Sequence, residues 1–220
     1  MKLFNPMEKL SCSLTKYILF KGRFGFIDNK GEILVAPFSD EVENFSDGCT
    51  LVTIKGKCGF VNLNGDWIVP PMYDTGGSFS QGLAMLSVGG KCGYIDKTGN
   101  FAIPMNFSAA KDFDANTKLA CVAINNKWGV IDIKGDIILP LEYDEVKITS
   151  DGYLYVCHKG LFGLYDMKGK EIFPVQCDAI EIRKDGTVFR HGTVGAVLDG
   201  QRIRIDECGN AIYQYSLLKP

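Results

Sequence analysis

Short apolar runs alternate with polar turns along this chain, and the alternation has a fixed period. Apolar runs recur at residues 17–20, 51–54, 84–88, 120–124 and 153–156. A turn pair follows four of them directly and the last after two residues: Lys21-Gly22, Lys55-Gly56, Gly89-Gly90, Asn125-Asn126 and Lys159-Gly160. Glycine and asparagine tolerate the positive φ of tight hairpin turns. A second run opens on a bulky residue and a glycine: Phe24-Gly25, Cys58-Gly59, Cys92-Gly93, Trp128-Gly129 and Phe162-Gly163. These pairs lie 34, 34, 36 and 34 residues apart. A period of that length means one supersecondary unit copied and stacked.

The second run ends at Asp28, Asn62, Asp96, Asp132 or Asp166, and a glycine follows three residues later. An acidic or amide residue opening a turn that closes on glycine predicts a type I turn with a left-handed exit. A third run leads to Pro37, Pro70, Pro104, Pro140 or Pro174. Proline donates nothing to a ladder, so it is expected to mark an edge or an end, and the third run is expected to stop there. Then come an aromatic-Asp pair (Tyr73-Asp74, Tyr143-Asp144) and a Phe-Ser-x-Gly segment (45–48, 79–82). Nothing has helical period, and β-branched and aromatic residues dominate. Each unit therefore reads as a three-stranded antiparallel meander with a short fourth piece. A worn sixth unit places Arg202-Ile203 at the bulky-Gly position, residues 194–198 as its first strand and Asp199-Gly200 as its turn. Terminal repeats are expected to be atypical.

This grammar resembles the WG-repeat family of bacterial proteins. The best matches are Lys127-Trp128-Gly129-Val130-Ile131-Asp132 and Phe79-Ser80-Gln81-Gly82-Leu83-Ala84. The chain keeps one literal Trp-Gly, so the bulky position is expected to serve packing. The resemblance covers residues 15–213 and implies architecture more than activity. The expected fold is all-β: six tandem meanders of about 34 residues arranged as a propeller-like ring, with an open β-solenoid of stacked hairpins as the alternative. Period-34 units do not fold singly, so 15–213 reads as one domain, with 1–14 as an extension and 214–220 as a tail.

At 220 residues the chain can bury a sizeable core. Its 24 basic and 26 acidic residues are interspersed. No basic run exists to neutralise phosphates, which argues against nucleic acid. No apolar stretch is long enough to span a membrane, and the first residues lack a secretory signal, so a cytoplasmic location is expected. None of the eight cysteines has Cys-x-x-Cys spacing. They read as reduced, mostly buried thiols rather than disulfides or metal ligands, with Cys12 and Cys208 as the reactive ones.

The repeated acids read as structural: the turn acids close turns, and Asp40, Asp74, Asp144 and Asp178 cap backbone. No nucleophile has a base and no metal has a ligand set, so neither catalysis nor a cofactor is expected. The departures from the repeat are the candidate binding positions. Asp112 and Asp114 lie in an insertion, and Arg183, Lys184, Arg190 and His191 lie in the stretched link before the sixth unit. Tyr73 and Tyr143 are taken as exposed stacking platforms. The functional reading is a non-enzymatic, monomeric scaffold for a protein partner. The alternative is a small-molecule or glycan sensor; an enzyme of unknown type is the remote third reading.

Overall fold

A computed structural model describes residues 14–19, 23–28 and 33–213. Expectations that fall on other residues, among them Cys12, the turns at 20–22 and 29–32, and the tail, lie outside the described residues. The described elements are all β-strands. The chain forms two compact units, Met1–Ala115 and Asn116–Pro220.

The first unit holds an antiparallel meander, β1 (Leu14–Leu19), β2 (Arg23–Asp28) and β3 (Ile33–Ser39). Two four-stranded sheets follow. One is β4 (Glu41–Val42), β5 (Cys49–Ile54), β6 (Lys57–Asn62) and β7 (Trp67–Tyr73). The next is β8 (Thr75–Gly76), β9 (Leu83–Val88), β10 (Lys91–Asp96) and β11 (Phe101–Phe107), and β12 (Ala109–Ala110) comes last.

The second unit begins with the meander β13 (Leu119–Ile124), β14 (Lys127–Asp132) and β15 (Ile137–Tyr143). Its next sheet is β16 (Glu145–Ile148), β17 (Tyr153–His158), β18 (Leu161–Asp166) and β19 (Glu171–Cys177). The last is β20 (Ala179–Ile180), β21 (Thr193–Leu198), β22 (Gln201–Asp206) and β23 (Ala211–Tyr213), the predicted sixth unit. Four antiparallel strands in chain order make a blade of the propeller type.

The expected hairpins form. Lys55-Gly56, Gly89-Gly90, Asn125-Asn126, Lys159-Gly160 and Asp199-Gly200 all have φ between 50° and 80°, the mirror-type turn that suits twisted strands. Phe-Ser-x-Gly is a second such hairpin: Ser46 and Cys49 exchange both backbone hydrogen bonds around Asp47 and Gly48. Ser80 and Leu83 do the same around Gln81 and Gly82.

The prolines lie on edge strands, as one half of the sequence reading has it, but they do not end those strands. β7 runs through Pro70 and Pro71, β11 through Pro104, β15 through Pro140 and β19 through Pro174. Each proline sits in a bulge. Cys58 faces Tyr73 and Phe60 faces Val69, so three residues of β7 stand opposite Gly59 alone. A bulge releases ladder donors, so proline is tolerated there. It also crowds the glycine: a Cβ on Gly59 would lie 2.5 Å from the Val69 oxygen, and one on Gly129 2.6 Å from the Leu139 oxygen. The bulky-Gly pair thus exists because a proline bulge crosses the glycine.

The acids serve the backbone as expected. Asp132 Oδ1 accepts from Lys134 N at 2.8 Å and Asp136 N at 2.9 Å, closing its own turn. Asp74 Oδ2 accepts from Gly89 N at 2.8 Å, and its other oxygen takes Lys57 Nζ at 2.5 Å. Asp144 caps Lys159 N at 2.6 Å and pairs with Lys127 in the same way. The lysine ahead of the bulky-Gly pair is therefore the partner of the acid in the aromatic-Asp pair.

Cores form between consecutive sheets of a unit, always from the same two faces. In the first unit, Leu51, Cys58, Phe60 and Val69 meet Ala84, Leu86 and Ile95 of the following sheet. In the second, Cys121, Val130 and Leu139 meet Val146, Leu154 and Val156. Tyr155, Leu164, Phe173 and Cys177 then meet Ile180, Val194, Ala196, Ile203 and Ile205 of the last sheet. Burial of this apolar surface holds each stack together. Of the seven described cysteines, Cys49, Cys58, Cys92, Cys121 and Cys177 are buried, and Cys208 is exposed. Burial raises the Cys177 thiol to about 11.

Candidate functional site

The last sheet of the second unit buries one face in the core of that unit; on the other, Arg202 is exposed and Gly195, Val197 and Arg204 are half-buried. Alternation along its strands sends Val194 and Ala196 of β21, and Ile203 and Ile205 of β22, into the core below. The opposite face carries Gly195 and Val197 from β21, and Arg202 and Arg204 from β22. Gly195 faces Arg204, and Val197 faces Arg202. On earlier sheets this face is apolar and covered. Arg204 stands where Phe60, Tyr94, Val130 and Leu164 stand, each with 0% exposure. Gly195 stands where the buried Leu51, Cys121 and Tyr155 and the half-buried Met85 stand. Arg202 takes the bulky position held by Cys58, Cys92, Trp128 and Phe162.

The exchange opens a hollow of about 320 Å³ between Ala179, Glu181, Gly195, Val197, Arg202 and Arg204. Its floor exists because residue 195 has no side chain. The Glu181 carboxylate lies over that floor, where a Cβ would come within 2.5 Å of its Oε2. Arg204 is fixed: its Nε and Nη2 donate to Thr193 Oγ1 at 2.9 and 2.6 Å. That leaves the Nη1 hydrogens and one on Nη2 for other acceptors. Arg202 and Glu181 are exposed. Among the described residues neither side chain makes an ion pair or hydrogen bond. Ile212, 48% exposed and opposite Arg204, supplies an apolar margin. Two guanidinium groups over a shallow apolar floor, beside one carboxylate, suit recognition of an anionic group.

The residues singled out from sequence lie elsewhere; none of them lines this hollow. Residues 183–187 form a turn in which Arg183 N donates to Thr187 O at 3.0 Å. The Asp185 carboxyl is held below its usual range by the Thr187 hydroxyl. Lys184 is exposed on that turn and Arg183 is half-buried. Ser150 anchors the turn, its N–H donating to Gly186 O and its hydroxyl to Asp185 O, each at 3.0 Å. Asp151 Oδ2 accepts from Val188 N and Phe189 N, both at 2.9 Å. Arg190 and His191 occupy a separate hairpin, Arg190 to Thr193, the copy of Phe-Ser-x-Gly in the sixth unit. The link is therefore two ordered turns plus the buried Val188.

In the first unit, Asp112 Oδ2 accepts from Ser78 N at 3.0 Å, and its carboxyl rests against Gly77. Desolvation there raises its pKa, although the residue as a whole is exposed. Asp114 is half-buried in the same loop. The tyrosines are not exposed platforms. Tyr143 is 5% exposed and packs edge-on to His158 and Tyr165. Tyr73 is half-buried, edge-on to Phe101 at 6.3 Å. Both sit opposite the bulky residue, Tyr143 across from Trp128 and Tyr73 across from Cys58, and that pairing covers them.

The sequence carried a signal for the hollow. Aligning Arg202-Ile203 with the bulky-Gly pair already puts Arg204 at a core position, and Gly195 falls two residues into the first strand. What was missing was the knowledge that this face is the one earlier sheets bury.

Comparisons with known proteins agree with the repeat. A eukaryotic initiation factor is 11% identical over 91% of this chain and 62% of its own, with a TM-score of 0.53. This chain thus spans less than two thirds of that relative. BamB of Moraxella catarrhalis is 13% identical over 96% of this chain and 71% of its own, at 0.45. The WD40 β-propeller domain of Doa1 is 12% identical over 97% and 93%, at 0.37. At such identities the likeness is one of fold alone, and only the first score carries weight. No curated protein matches the sequence. The WG containing repeat is matched four times in succession, at residues 24–58, 59–92, 93–128 and 128–162. Those matches span more than half of the sequence, and the chain belongs to the WG containing repeat family.

Proposed function

We propose that this protein is a non-enzymatic repeat scaffold that docks a protein partner on the outer face of its last sheet. One observation carries the reading: a face that earlier sheets bury with apolar side chains is here rebuilt with Gly195, Arg202 and Arg204, and no described strand of the second unit packs on it. A repeat stack offers a rigid platform, and rigid presentation lowers the ordering cost of binding. A cytoplasmic setting is part of the proposal. The test is affinity capture of the tagged full chain from its own cell lysate, with untagged protein as competitor. The native chain is expected to enrich a partner that Arg202→Gln/Arg204→Gln does not. Equal enrichment by both would overturn this placement. The size of the hollow, at the lower end for ligand pockets, supports the second reading as a small-molecule or glycan sensor. A dose-dependent thermal shift from a sugar or nucleotide panel, with no protein captured, would favour it.

A further inference from the structure

We infer that the group recognised in this hollow is a carboxylate, presented by an acidic segment of the partner that also carries apolar side chains. The inference rests on the docking reading above and deepens it. Charge decides the class of anion. Among the side chains that line the hollow, Arg202 and Arg204 bring two positive charges and Glu181 over Gly195 one negative, and Asp206, two positions beyond Arg204 on the same face, adds another negative charge nearby, so the net positive charge is small. That matches a monoanionic carboxylate better than a phosphate group of charge near −2. Geometry decides how it is held. Both arginines project from the same face of β22 two positions apart, roughly 7 Å along the strand. Thr193 fixes the Arg204 fork, while Arg202 has no partner among the described residues and is free to close on a bound acid. A planar fork is the natural partner of a carboxylate, which it can bind through two parallel hydrogen bonds. Val197, Ala179 and the exposed Ile212 border the charges, so apolar side chains flanking the acid gain contact. Glu181 also sets a limit: an acid reaching the Gly195 floor meets like charge, which steers the carboxylate toward the Arg202 side.

The test uses the full chain and a fluorescein-labelled ten-residue peptide alternating glutamate and leucine, read by anisotropy. A glutamine-leucine peptide is the neutral control. The expected result is saturable binding of the acidic peptide, weakened by salt, with the control weaker by about tenfold or more. Arg202→Gln is exposed and is expected to fold; it should lose a similar factor. Arg202→Glu should lose the acidic peptide and gain affinity for a lysine-leucine peptide. Three results would each overturn the inference: equal binding of both peptides to the native chain, unchanged binding by Arg202→Gln, or inorganic phosphate competing more strongly than acetate. A lysate partner that depends on both arginines but is not displaced by the acidic peptide would leave the docking face standing and reject the carboxylate. A partner indifferent to the arginines would reject the docking reading itself.

Discussion

The last two sheets of the second unit share a strand plan and differ in what one face does. On the sheet β16–β19, Tyr155, Leu164 and Phe173 are buried by the sheet that follows. On the sheet β20–β23, the matching positions of β21 and β22 hold Gly195 and Arg204, and no described strand of this unit covers them. The backbones differ correspondingly. β18 and β19 pair with a bulge opposite Gly163, whereas β22 and β23 pair in unbroken register, Ile203 with Tyr213 through Ile205 with Ala211. Without a bulge crossing it, position 203 accepts an isoleucine where the other units need glycine. On the proposed function, packing and docking are two uses of one face, chosen by side chains at two or three positions.

The strongest way to break the comparison is to move the charge. Leu164→Arg puts an unpaired guanidinium at a site with 0% exposure and is expected to cost about 3–5 kcal/mol or to prevent folding. Urea unfolding reads that loss. Gly129→Ala is next. Its methyl group would meet the Leu139 oxygen at 2.6 Å and displace the proline bulge, for about 1–3 kcal/mol. The reverse exchange, Arg204→Leu, removes a half-buried arginine and its bonds to Thr193. Its expected cost is within about 1 kcal/mol. If it costs as much as Leu164→Arg, the face is structural.

The smallest effect sharpens the contrast with a loop. Burial raises the Asp112 carboxyl, so folding favours its neutral form. Its contribution is then complete at low pH and is lost as pH rises through the raised value. Asp112→Asn, neutral throughout, should melt slightly higher than the native chain at about pH 7 and no higher at about pH 3. A lower melting temperature at about pH 7 would mean the charged form is the one the Ser78 amide stabilises.

The repeat was legible because it is local. Hairpin glycines, turn acids and alternating apolar residues act within a few neighbours, so Asp132, Gly56 and the worn sixth unit at Arg202-Ile203 could be read directly. The proline rule, no donor and therefore an edge or an end, held for the edge and failed for the end, because it omits the bulge that lets β7 run on opposite Gly59. Tyr143 misled because its cover comes from across the sheet and from a neighbouring sheet, at Trp128 and Tyr165. The site was missed for a related reason. Insertions are the more visible departures from a repeat, but residues 183–187 and 190–193 are anchored turns. The proposed site rests on a substitution in register, Arg204 for an apolar core residue, which stands out only once the faces are assigned.

The most direct measurement is acidic-peptide binding by Arg204→Leu at a temperature where it and the native chain are equally folded. The account predicts a melting temperature close to native and binding at least tenfold weaker, because the side chain serves a partner rather than the stack. Native-like binding, or loss of binding only in step with loss of folding, would contradict it.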